Sequence, residues 1–161
     1  MDLYPWIVYV HVAGALLFVL AHGVSVIVAF KVRAERDPHR ILPLLQLSAG
    51  SISLLYIGIV VLLGAGIWAG FTPGIDGSWW GDAWIWVALG TFVFTMFAMY
   101  GMATTYYRRL RTIVEAMVNG SEAVSESRLA EVLRGPRPWI LAGVGVGSLL
   151  FILYLMLFKP F

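Results

Sequence analysis

The stretch YPWIVYVHVAGALLFVLAHGVSVIVAF, residues 4–30, contains no Lys, Arg, Asp or Glu. A helix needs about 20 such residues to cross a hydrocarbon core about 30 Å thick, because each residue advances it by only about 1.5 Å. Three further stretches meet the same requirement: residues 44–71, 83–106 and 139–158. The predicted fold is therefore all-α, an integral membrane four-helix bundle that occupies residues 1–161 as a single domain. The first stretch is not expected to be a cleaved signal peptide. It is too long, follows Asp2 rather than a basic region, and lacks an A-x-A site.

Composition points the same way. Hydrophobic residues make up 60% of the chain and charged residues 12%, where a soluble domain carries roughly a quarter charged residues. So small a core cannot hide that much apolar surface, and the lipid bilayer is the partner that solvates it. The chain has no cysteine, which excludes disulfides and thiolate metal sites.

The charges set an orientation. Lys31, Arg33, Arg36 and Arg40 lie in the first loop, and Arg108, Arg109, Arg111, Arg128, Arg134 and Arg137 in the third. Only Lys159, of the 11 basic residues, falls on the other side. Basic residues flanking spans stay in the cytoplasm, so both termini and the second loop are expected outside. The net charge of +2 is thus used for topology, and no nucleic-acid partner is expected. Aromatic residues mark the outer side instead: Tyr4, Trp6, Trp79, Trp80, Trp84 and Trp86 are expected at the lipid–water interface. The second loop, residues 72–82, is Gly-rich, carries Asp76 and Asp82, and is expected to be a solvated turn. In the third loop Ile113, Val114, Met117 and Val118 recur at helical spacing, so the third span should continue into the cytoplasm. Asn119-Gly120-Ser121 should end it, and a short helix with Leu129, Val132 and Leu133 on one side should follow. The expectation is a short cytoplasmic helical hairpin between spans 3 and 4, lying against the membrane surface.

Glycines give the spans a way to pack. Gly66/Gly70 and Gly143/Gly147 are G-x-x-x-G pairs that permit close backbone approach, within one chain or in a homodimer or larger membrane complex.

Two histidines stand inside the first span. Ionisable groups in a bilayer are costly and face the bundle, which makes His11 and His22 candidates for function. Eleven residues at 100° each place both rings on one face, only about 20° apart, and about 16 Å apart along the axis. They cannot share one metal ion but can serve separate sites. Gly14, Ala15 and Phe18 lie on that face, with Ser25 and Ala29 beyond His22; small residues leave room for a flat cofactor, and Phe18 can stack on it. A b-type haem fits that description, with imidazole as axial ligand. Its second ligand is the difficulty, since His39 follows Asp37-Pro38 in a loop and is expected to be solvated. A five-coordinate haem, a dimer pairing two copies of His22, or a methionine ligand would each resolve it. Met96, Met99 and Met102 of the third span lie near the depth of His22, and Met99 is the candidate. Imidazole plus thioether also suits Cu(I). The alternative is that the histidines are structural, hydrogen-bonded to Ser48, Ser51, Ser53, Thr91, Thr95, Tyr56 or Tyr100. A proton or ligand path is a third use.

Residues that are missing narrow the field. All nine acids lie outside the four stretches, and no proline interrupts the middle of one, which disfavours ion-coupled transport. No hydrolase or nucleotide-binding motif is present. Chemistry carried by a bound redox cofactor is compatible with the sequence.

The segments Tyr9-Val-His11-Val-Ala-Gly14-Ala and Ala21-His22-Gly23-Val-Ser25, with the loop Arg33-Ala-Glu-Arg36-Asp37-Pro38, resemble a group of predicted four-span bacterial membrane proteins. That group looks like distant kin of the CopD-like copper-resistance proteins and the HemJ-like protoporphyrinogen oxidases. The resemblance implies the bacterial cytoplasmic (inner) membrane. It also implies b-type haem, with His11 at the position matching the HemJ-like ligand, or copper. The intramembrane lysine of HemJ-like proteins has no equivalent here, and neither do the external Met/His clusters of a copper importer. The expected function is a small haem-b-binding membrane protein acting in electron transfer or in a membrane redox complex, with His11 and His22 as ligands. A non-enzymatic accessory subunit and a copper-handling protein using His22, Met99 and Met102 are the alternatives.

Overall fold

A computed structural model describes residues 3–72, 79–120 and 126–161, apart from the side chain of Trp79. The described residues form five helices, α1 (Tyr4–Ala34), α2 (Pro38–Phe71), α3 (Ala83–Val118), α4 (Glu126–Arg134) and α5 (Arg137–Phe158), with a 3₁₀ turn at Trp79–Gly81. No strand occurs among the described residues. Four helices are long and apolar enough to cross a membrane, the fourth such segment including α4 with α5. Phe94 and Phe97 are 72% and 75% exposed, an arrangement water would penalise and lipid accepts.

Neighbours in chain order are neighbours in space, and α5 closes the ring against α1. The contacts are uneven. α1 lies closely along α2, α3 along α5, and the junctions α2–α3 and α1–α5 are sparse. The first pair is tight because glycines let the backbones touch. A Cβ on Gly14 would stand 2.6 Å from the Leu62 nitrogen, and one on Gly58 would stand 2.7 Å from that of Phe18. Buried positions Ile7, Gly14, Ala21 and Val28 recur every seven residues on α1, beside Phe18 and Val32. That spacing is the 3.5-residue period of a left-handed supercoiled pair.

Helix ends follow local chemistry. The Asp37 carboxylate accepts a hydrogen bond from the His39 backbone N–H (2.9 Å), and Pro38 takes the first position of α2, where its missing N–H costs nothing. α2 therefore begins before the apolar stretch at residue 44, contains Pro43 near its start, and makes His39 part of its exposed first turn rather than a loop. The turn from α1 is correspondingly short. In it the Glu35 carboxylate accepts from the backbone N–H groups of Arg36 and Asp37, which holds its carboxyl below the usual range. α3 continues 12 residues past 106, as its apolar spacing predicts, and ends at Gly120, whose φ of 74° suits a glycine after a helix. Ser121 lies outside the described residues, as does Asp76 of the second loop.

The largest buried cluster lies at the basic-loop end. Val28 and Val32 of α1, Ile41 and Leu45 of α2, and Tyr106, Leu110, Ile113 and Val114 of α3 are covered there by Leu129 and Leu133 of α4. The hairpin thus closes the end of the bundle. Arg33 holds it in place. Its guanidinium donates to the carbonyls of Leu133 (3.0 Å), Arg134 (3.2 Å) and Gly135 at the end of α4, where a cation also complements the helix dipole.

At the opposite end Trp86 donates to the Trp80 carbonyl (3.0 Å) and Trp84 to Asp82 (3.2 Å). Trp86 is exposed, as an interfacial anchor should be. Trp84 is only 3% exposed; at this same end of the bundle its ring is packed inside and carries Lys159 5.7 Å from its centre.

Two substitutions test this packing. Gly58→Ala should destabilise the protein by about 1–3 kcal/mol, as overpacking of a close contact does. Gly64→Ala, where nothing lies within 4 Å, should be neutral or slightly stabilising; thermal unfolding in detergent measures both. Arg33→Gln should speed amide exchange across 126–135 selectively, since charged hydrogen bonds of this type contribute about 2 kcal/mol.

Candidate functional site

His11 and His22 do not share a neighbour. Their positions stand about 20° apart around an α-helix, yet the rings reach different helices, His11 toward α2 and His22 toward Gly145 of α5. His11 occupies the seam toward α2, in the heptad position of Phe18, Ser25 and Val32. His22 is swung away from it.

The His11 Nδ1 lies 2.8 Å from the Leu62 carbonyl oxygen of α2. A carbonyl only accepts, so Nδ1 carries the proton and donates. The ring fits because Gly66, one turn on, has no side chain: a Cβ there would stand 2.8 Å from Nδ1. Gly66 of the first G-x-x-x-G pair is thus used within the chain, and Gly70 likewise packs on the Trp80 ring. Gly143 and Gly147 meet nothing within 4 Å, while Gly145 between them is the buried one.

Gly145 is where His22 arrives. A Cβ on Gly145 would stand 2.6 Å from His22 Nε2 and 3.6 Å from the methyl carbon of Met99. α1 and α3 are diagonal in the ring and make no close backbone approach among the described residues, so these two side chains meet across the interior over α5. Phe18 lies beside them. Its ring is nearly parallel to that of His22 (centroids 6.0 Å apart, planes 11° apart) and tilts against Phe92 of α3 at 6.1 Å. Four-helix bundles build cofactor and metal sites this way, from side chains of facing helices.

His22 Nε2 is buried and has no hydrogen-bond partner among the described residues; the Tyr106 hydroxyl shares that state. The polar groups expected to satisfy an imidazole are engaged elsewhere or turned outward. Ser25, Ser48 and Ser51 form their own cluster at 3.4 Å. Thr91 and Thr95 donate to helix carbonyls at 2.7 Å. Tyr56 and Tyr100 are exposed. A buried polar atom left bare is costly, and a ligand on Nε2 would remove that cost.

The space expected beside Gly14 is filled by the α2 backbone. His22, Met99 and Phe18 are therefore brought together, while His11 and Gly14 belong to the α1–α2 contact. Among the described residues no group of three or more His, Asp or Glu side chains could hold a metal ion, so any centre here uses imidazole and thioether. A comparison with family models, curated proteins and solved structures found no match to this chain.

The division of roles has a measurable consequence in the ligand-free protein. His11→Ala should lower stability by about 1 kcal/mol, the scale of an interhelical hydrogen bond in a membrane protein. His22→Leu should be neutral or stabilising, because it replaces an unsatisfied polar group by an apolar one of similar size. Unfolding in mixed micelles distinguishes the two.

Proposed function

We propose that this is a small haem-b-binding membrane protein in which His22 of α1 and Met99 of α3 would hold the haem. It works in electron transfer or as a redox subunit of a larger membrane assembly. The observation that carries the reading is the bare Nε2 of His22, buried in the ring of helices and converging with the Met99 methyl over Gly145. Imidazole and thioether from opposite helices form a known axial set for haem. Surrounding Phe18 and Phe92 supply apolar walls, and no charged side chain lies inside the apolar stretches. When bound, haem would supply one-electron chemistry. The chain's own contribution is to orient the His22 ring against Phe18, to hold α1 on α2 through His11, and to keep water away.

A second reading is favoured by one distance. Gly145 lies so close to Nε2 that a bare cation fits with less movement than a porphyrin, and the donor pair suits Cu(I). In either case the distribution of basic residues supports a bacterial inner membrane protein with both termini outside, alone or as a homodimer.

Absorption spectra of the purified protein, oxidised and reduced, with metal analysis, separate these readings. Haem predicts a Soret band and sharp α and β bands on reduction. These should vanish in His22→Ala, shift in Met99→Leu and survive in His11→Ala. A colourless protein retaining copper through His22 and Met99 supports the second reading. A colourless, metal-free protein after expression with ample haem and copper contradicts both.

A further inference from the structure

A second site lies on the outside of the bundle, independent of what His22 holds. A groove of about 370 Å³ runs between α3 and α5 at the basic-loop end, lined by Gly101, Met102, Thr105, Arg137, Ile140 and Leu141. Its interior is apolar. The Thr105 hydroxyl is already spent on the Gly101 carbonyl (2.9 Å), so nothing polar competes for an occupant there. Gly101 leaves a notch in the wall, with no atom within 4 Å of where its Cβ would stand.

The one charge sits at the mouth. Arg137 is the first residue of α5 and is exposed. It has no carboxylate partner among the described residues, where the ion pairs are Arg40–Asp37 and Arg111–Glu115. The groove therefore pairs an apolar slot at bilayer depth with a lone cation at the level where headgroups begin. Further guanidinium groups, Arg108 and Arg134, are exposed at the same end. We propose that this groove binds an anionic phospholipid from the leaflet on the basic-loop side, its acyl chain along Gly101 and Met102 and its phosphate on Arg137. Basic pockets between spans select such lipids through charge, and apolar contact alone does not distinguish headgroups. The occupant is a lipid rather than a peptide because the slot is apolar, carries its charge only at the mouth, and lies on the outer side of the apolar helices, where the neighbouring Tyr100 is 65% exposed.

Native mass spectrometry of the protein released from micelles containing equal amounts of phosphatidylglycerol and phosphatidylcholine tests this. One phosphatidylglycerol per chain should be retained in preference. Arg137→Gln should reduce that preference roughly fivefold, the usual effect of one basic residue on anionic lipid. Gly101→Leu, which meets no neighbour, should fill the slot and lower retention of both lipids. Gly90→Leu, equally open but away from the groove, should change nothing. Equal retention of the two lipids by the unaltered protein, or an undiminished preference in Arg137→Gln, would overturn the proposal. So would full retention in Gly101→Leu.

Discussion

Where α1 crosses α2, two backbones come into contact at Gly14 against Leu62 and at Gly58 against Phe18. In lipid there is little hydrophobic force to bring helices together, because the tails are as apolar as the side chains; close dispersion contact and interhelical hydrogen bonds take over. The glycines therefore decide which helices pair. With α1 seated on α2, His11 lies in the seam and His22 reaches Gly145 of α5. The α2 backbone reaches His11 because Gly66 leaves room, and the Leu62 carbonyl then fixes the proton on Nδ1. The other pair, α3 with α5, presents Met99 and Gly145 to the histidine left over.

The second organising feature is at the basic-loop end, where α4 covers the cluster formed by α1, α2 and α3. Here water is the solvent and hydrophobic burial works in the usual way. Leu129 and Leu133 supply the apolar side of α4, and Arg33 satisfies three carbonyls that a helix end otherwise leaves open. The apolar stretches are held mainly by glycine contacts, whereas this end has a conventional core.

Much of this was legible in the residues. Apolar length marked the four long helices, and the spacing of Ile113, Val114 and Leu129 marked the α3 extension and the hairpin. Boundaries were less legible: α2 starts at Pro38 because Asp37 caps it, a local hydrogen bond that outweighs the polar character of His39 and Arg40. That the two rings touch different helices was not legible, because it depends on where α2 and α5 stand around α1, and spacing along one helix does not carry that. That Met99 would stand near the level of His22 was legible from depth; both side chains reach Gly145. Gly145 was visible as a glycine but not as the surface against which His22 rests. Arg33 was read as topology alone, since its partners are backbone carbonyls and leave no trace in sequence.

The central claim is that the two histidines have separate jobs, His11 tying α1 to α2 and His22 kept for a ligand. The most direct measurement is the ¹⁵N imidazole spectrum of histidine-labelled protein in lipid, before and after loading with haem or Cu(I). The account predicts that His11 shows a single Nδ1–H tautomer that loading leaves unchanged, while the His22 signals move. Exchange between tautomers at His11, or an equal response of both rings to loading, would contradict it.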